Sequence, residues 1–234
     1  ALEQTAARVR EAGGQAQGLR CDVSRADDVE QLAAAADRAH GGADLVVNNA
    51  GVTAAGAVGT VPLADWRWQL DVNLWGVIHG CHAFVPRLRA QGCGWILNVA
   101  STAGLVAGPG MGPYNVAKAG VVALTDTLHA ELHGTGVGVS ALCPTFFRTN
   151  IHATARFSDD AAYEQAKRLV TEARWSAEQI ADRALRGVEQ GELYIIPQAD
   201  GRALWQAKRL LGPRFHGRVG QALVPRLVRW LSGR

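Results

Sequence analysis

Two periods alternate along the chain. Apolar positions recur at helical spacing over residues 2–12, 26–39, 62–90, 113–132 and 176–190, which predicts amphipathic helices there. Between them lie short β-branched apolar runs over 18–23, 44–48, 94–99, 137–143 and 193–196, the signature of buried strands. Short strands separated by helices need crossover connections, and right-handed crossovers put helices on both faces of a parallel sheet. The predicted fold class is α/β, a doubly wound parallel sheet of Rossmann-like type. Boundary residues agree with these elements. Asp22 and Ser24 precede the second helix, Pro113 stands where a first helical turn begins, and Ser176 with Gln179 has capping-box spacing.

One element of such a sheet is not in the pattern. A nucleotide-binding sheet opens with a strand, a glycine-rich turn and a helix whose N-terminus holds a pyrophosphate. Here the pattern opens on a helix, and no GxGxxG-like turn follows a strand. The expectation is an N-terminally incomplete domain, lacking its first strand–turn–helix unit and second strand; the alternative is a domain that never had them. Residues 145–175 are mixed and weakly periodic and read as a substrate lid. They fall within a single catalytic domain over 1–198, followed by a basic amphipathic extension over 199–234.

Composition narrows the function classes. The chain of 234 residues is 48% hydrophobic and 19% charged, which suits one packed domain and not a disordered chain. Cys21, Cys81, Cys93 and Cys143 are scattered with no CxxC pair, so free thiols in a reducing compartment are expected before a disulfide or metal framework. No run of 18 apolar residues exists, and the charged opening helix does not read as a signal peptide. A cytoplasmic protein is expected. Residues 199–234 hold eight Lys/Arg against the single acid Asp200, a charge of +7 within a total of +3, so the preceding 198 residues carry −4. The body is therefore not expected to bind nucleic acid. The extension, with Leu223, Val224, Leu227, Val228, Trp230 and Leu231 among its arginines, either lies peripherally on an anionic membrane or packs on the domain or a neighbouring subunit.

Candidate chemistry gathers at predicted strand ends, where open α/β sheets meet their ligands. Asn48-Asn49-Ala50-Gly51 closes one strand, and its small residues let a ligand approach the backbone. Ser101 ends the next strand. Tyr114 and Lys118 are spaced i, i+4 on the helix that Pro113 begins, so both project from one face. A phenol with a pKa near 10 is a poor acid–base group at neutral pH. A nearby ammonium, together with the positive charge of an oxidised cofactor, favours the phenolate and is expected to lower the Tyr114 value, leaving Ser101 to hold a substrate oxygen while Tyr114 exchanges its proton. YxxxK alone arises by chance in many helices; Ser101, 13 positions upstream of Tyr114, and the earlier NNAG turn make the set specific. His82, His129 and His133 lack metal-ligand spacing, and no metal site is expected. Trp66, Trp68 and Trp75 read as packing or subunit-contact residues.

Cys21-Asp22-Val23, Asn48-Asn49-Ala50-Gly51, Asp71-Val72-Asn73, Asn98-Val99-Ala100-Ser101, Tyr114-Asn115-Val116-Ala117-Lys118 and Pro144-Thr145-Phe146-Phe147-Arg148-Thr149 together resemble the short-chain dehydrogenase/reductase family. The resemblance runs to about Pro197. It implies an oxidoreductase using NAD or NADP, with Asn73, Ser101, Tyr114 and Lys118 as a catalytic tetrad. Asn73 would hold, in its helix, a water relaying protons to Lys118. Asp22 would meet the adenine end of the cofactor. Asn49, Ala50 and Gly51 would line its ribose side, Tyr114 and Lys118 its nicotinamide ribose, and Pro144, Thr145 and Thr149 its carboxamide end. The resemblance also implies a homodimer or homotetramer. The lid residues Phe146, Phe147, Ile151, Phe157, Tyr163 and Trp175 point to an apolar alcohol or carbonyl substrate. Two departures stand out: the absent glycine-rich turn, without which this chain is expected to bind cofactor poorly or not at all and to be inactive alone, and Thr145, where the family usually has a glycine able to adopt positive φ. A nucleotide-binding or scaffold protein without turnover is the alternative.

Overall fold

The computed structural model describes residues 2–217. The chain begins with α1 (Leu2–Glu11) and α2 (Ala26–His40), followed by β1 (Leu45–Asn48) and the short β2 (Ala54–Ala55). A long helical arm follows: α3 (Leu63–Leu70), a π-helical turn (Asp71–Trp75) and α4 (Gly76–Gln91). Next come β3 (Gly94–Val99), α5 (Thr102–Val106), α6 (Gly112–Glu131) and β4 (Val137–Leu142). The remainder is β5 (Arg156–Phe157), α7 (Asp160–Thr171), α8 (Ala177–Glu189), β6 (Tyr194–Ile195) and α9 (Ala199–Leu211). Four strands form one sheet in the order β1-β3-β4-β6, all parallel, with Asn48 beside Asn98 and Val99 beside Leu142 in register.

Period-2 alternation decides which face each strand residue serves. From β3, Ile96 joins Val46, Val139, Phe84, Leu88 and Val121 in the larger core under α4 and α6. Leu97 faces the opposite way and joins Leu142, Ile180, Ala184 and Ile195 under α8. Both faces of β3 and β4 are thus covered, which explains their largely apolar runs, broken by the buried Asn98 and Ser140. Helix ends follow local rules. The Ser176–Gln179 capping box starts α8, and Gly41 and Gly92, both at φ 77°, close α2 and α4 with left-handed caps that glycine enters without steric cost.

Three sequence expectations are corrected. Residues 18–23 form no strand. A trough of about 360 Å³, lined by Val23, Val29, Leu32, Val46, Val47 and Val77, lies over the outer side of β1, and without a neighbouring strand the run has nothing to pair with. Contacts with α4 hold it instead: His79 Nδ1 lies 2.9 Å from the Val23 carbonyl, and Gly76 leaves room for the Val23 side chain. Second, the helix over 62–90 is interrupted by the π turn, whose extra residue gives no signal in hydrophobic spacing. Third, residues 145–175 include the regular helix α7, started by the Asp159 side chain accepting from Ala161 N at 2.9 Å.

α9 packs on the domain, with Gly201 and Leu204 buried and Trp205 against the larger core. The apolar residues that suggested membrane contact, Leu223 to Leu231, lie outside the described residues. No helix among the described residues is long and apolar enough to cross a membrane, and all four cysteines are free thiols.

Candidate active site

The site assembles where β1, β3 and β4 end. Its base is a chain of buried amides and hydroxyls. Asn48 Nδ2 donates to Asn98 Oδ1 at 2.8 Å, Asn98 Nδ2 donates to Thr125 Oγ1 at 3.0 Å, and Thr125 donates to the Val121 carbonyl at 2.8 Å. Asn98 and Thr125 are wholly buried, so each link satisfies groups that would otherwise be stranded away from water. The chain ties β1 to β3 and β3 to α6, the elements that lead into Asn49–Gly51 and Ser101 and that carry Tyr114 and Lys118.

Ser101 caps α5, its Oγ accepting from Ala103 N at 3.1 Å. That hydroxyl also lies 3.4 Å from the Pro144 carbonyl, to which it donates. Tyr114 stands in the first turn of α6. Lys118, one turn further, places its Nζ 5.8 Å from the Tyr114 ring centroid. The Nζ donates to the Val99 carbonyl at 2.7 Å and is almost fully buried. Ser101, Tyr114 and Lys118 are therefore brought together as the spacing implied.

Burial dominates the electrostatics of these residues. Burial pushes the Tyr114 phenol above its ordinary value, opposed by a hydrogen bond with Ser101. Burial also lowers Lys118 to about 8. The expected lowering of Tyr114 counts an oxidised nicotinamide's charge together with the ammonium; in the protein alone, removing the phenolate from water raises the value, and the ammonium is directed at the Val99 carbonyl. Proton exchange at Tyr114 then depends on charge brought by what binds beside it.

Asn73 sits in the π turn, wholly buried, and both ends of its side chain serve the loop after β1. Its Nδ2 donates to the Val52 carbonyl at 2.9 Å, and its Oδ1 accepts from Val52 N at 2.8 Å. The extra residue of a π turn re-aims one side chain within a helix, and such turns often occur at functional sites. Asn73 thereby anchors the exposed turn Asn49-Ala50-Gly51 at the carboxyl end of β1.

Pro144 is buried, its carbonyl accepting from Thr102 N at 3.0 Å. Thr145 has no positive φ, so the loop after β4 accommodates it without strain. Two implied residues are not drawn into this group. Asp22 is exposed in the turn before α2, and its carboxylate accepts from Ser24 N at 3.0 Å and Ser24 Oγ at 2.7 Å; these bonds hold it below the usual carboxylate range. The carbonyl of Thr149 lies 3.2 Å from His152 Nδ1. Sequence reasoning missed Thr125, whose only signal was a hydroxyl amid an apolar helical stripe, and Gln198, a polar residue three positions past the end of a strand.

The residues fit one end of a nicotinamide nucleotide. The Lys118 ammonium has three N–H groups and, among the described residues, one hydrogen-bond partner, the Val99 carbonyl, so donors remain for ribose hydroxyls. The Asn49–Gly51 turn offers open backbone nearby. No strand precedes Leu45 among the described residues, and none supplies a glycine-rich phosphate turn.

Comparison with known proteins agrees with this geometry. Residues 1–160 match the short chain dehydrogenase family model. The chain is 40% identical over 157 residues to a probable oxidoreductase EphD of Mycobacterium tuberculosis, covering 67% of this chain and 26% of that protein. It is 37% identical over 134 residues to 2-(R)-hydroxypropyl-CoM dehydrogenase of Xanthobacter autotrophicus, covering 56% and 54% respectively. The chain thus spans between a quarter and about half the length of these relatives. A crystal structure of a short chain dehydrogenase/reductase from Burkholderia phymatum, in complex with NAD, superposes with a TM-score of 0.86 at 34% identity, covering 90% of this chain and 80% of that one. With the parallel sheet and the Ser101–Tyr114–Lys118 group, these matches establish that the chain belongs to the short-chain dehydrogenase/reductase family of oxidoreductases.

Proposed function

We propose that the protein interconverts an apolar secondary alcohol and its ketone or aldehyde, with NAD or NADP as hydride carrier. The observation that carries this reading is the convergence of Ser101, Tyr114 and the buried Lys118 at the carboxyl end of the sheet. In that arrangement the Ser101 hydroxyl holds the substrate oxygen. Tyr114 gives a proton to that oxygen in reduction and takes it back in oxidation. Lys118 holds ribose hydroxyls and supplies positive charge that favours the phenolate. Asn73 fixes the loop against which the cofactor lies. The nicotinamide, when bound, supplies or accepts the hydride.

An apolar substrate is supported by fewer residues than the sequence pattern offered. Phe147 and Trp175 pack into the core under α8, and Phe157 meets Tyr163 edge-on. Phe146, 45% exposed, remains open at the loop after β4. Leu63, Trp75 and Val116 are exposed on the helical arm and α6, which supports a homodimer or homotetramer. Free thiols support a cytoplasmic setting.

The test is cofactor-linked turnover over a panel of alcohols and ketones, for the chain joined to a strand–turn–helix cofactor-binding unit (the parent protein) and for its Tyr114→Phe variant. Loss of the phenol hydroxyl is expected to lower kcat by about 10²- to 10⁴-fold while cofactor binding persists. Full turnover by Tyr114→Phe would sink the assignment. Cofactor binding without turnover by the parent protein would establish a nucleotide-binding scaffold instead.

A further inference from the structure

The loop leaving β4 is held from α9, far along the sequence. Thr145 N donates to Gln198 Oε1 at 3.1 Å, and Gln198 Nε2 donates to the Phe146 carbonyl at 3.3 Å. The Thr145 hydroxyl donates to both carboxylate oxygens of Asp200, at 3.1 and 3.2 Å. Gln198 is 4% exposed, so its amide is committed to this loop. Resting on the dehydrogenase reading above, we propose that Gln198 and Asp200 are positioning residues for hydride transfer, acting through Thr145.

A second observation, independent of these bonds, shows how closely α9 is seated. A Cβ at Gly201 would lie 3.0 Å from both Thr102 Oγ1 and Thr145 Cγ2. Glycine at that position lets the first turn of α9 press against the Ser101–Thr102 turn and the loop after β4 together. At the far end of α5, Lys208 Nζ donates to the Leu105 carbonyl at 2.5 Å. α9 therefore braces the element that Ser101 caps at one end and Lys208 at the other. The braced pieces are coupled to each other: Ser101 Oγ, Thr102 N and Thr102 Oγ1 all donate to carbonyls of Cys143 or Pro144. A shift at Thr145 passes through Pro144 to the serine that holds the substrate oxygen. In a site of this kind a displacement of about 1 Å costs up to ~100-fold in rate.

The role is separable from anchoring the helix. Thr145→Val removes the bond to Asp200 without altering α9, and Gln198→Glu keeps the acceptor for Thr145 N while removing the donor to Phe146. Asp200→Asn keeps an acceptor that Asp200→Ala removes. Thr145→Val, Gln198→Ala and Asp200→Ala are each expected to lower kcat about tenfold. Substrate KM should stay within about twofold, and the primary isotope effect with deuterated cofactor should rise, as expected when hydride transfer itself is misaligned. Asp200→Asn and Thr145→Ser should restore most of kcat. If the variants lose thermal stability but keep kcat and the isotope effect, Gln198 and Asp200 only anchor α9 and the proposal fails alone. If the parent protein shows no cofactor-linked turnover, the dehydrogenase reading fails and takes this proposal with it.

Discussion

Two regions flanking β1 are built on opposite principles. Toward β3, every step is tied: Asn48 to Asn98, Asn98 to Thr125, Lys118 to Val99. On the outer side, Val47 is 47% exposed at the mouth of the apolar trough. One side is a satisfied polar network in which each member fixes its neighbour. The other is apolar surface without a partner strand among the described residues. The contrast teaches that the acid–base group is organised on the β3 side of β1, apart from whatever grips the cofactor's phosphates.

That contrast can be broken in graded ways. Ile96→Ala, at a wholly buried position of the central strand, should destabilise by about 2–5 kcal/mol, measured by denaturant unfolding; a cost near that of a surface change would mean that β3 is not the keystone. Next, Thr125→Val strands the Asn98 amide and should cost about 1–3 kcal/mol. It should also lower turnover, because Asn98 tethers the strand that ends at Ser101; unchanged stability would show the network to be dispensable.

Lys118 offers a test in pH. Its folded-state value of about 8 lies below the ordinary 10.5, so between those values the unfolded chain binds the proton more tightly. Stability of the parent protein should therefore rise as pH climbs through 8, because the penalty for burying the charge fades. Lys118→Met should be the more stable form at pH 7, with an advantage that shrinks toward pH 9.5. A gap constant with pH would mean that the ammonium is not desolvated. Smallest of all, Val47→Ala on the trough side should change stability by no more than about 0.5 kcal/mol. A cost as large as that of Ile96→Ala would show the trough to be packed in solution.

Much of this architecture was legible because it rests on local periodicity. Alternating strand and helix periods located β1, β3, β4, β6 and most helices, and the i, i+4 spacing of Tyr114 and Lys118 put them on one face. The strand over 18–23 misled for a related reason: a β-branched run reports the capacity to pair, whereas pairing needs a neighbour. The π turn at Asn73 was invisible because one inserted residue barely shifts hydrophobic spacing. The burial that raises Tyr114 in the protein alone was not legible, because desolvation depends on everything packed around the ring.

The amino-acid order by itself determined the parallel α/β sheet, the residue types of the site and their placement at strand ends, since all three follow from periods read within short windows. Only the tertiary structure decided that Asn73 turns its amide onto Val52, that Lys118 is stripped of water, and that Gln198 and Asp200 reach back to Thr145. Each of these joins residues more than 18 positions apart or depends on burial from several elements at once. Such contacts are set by how the layers close on one another, which no local pattern encodes.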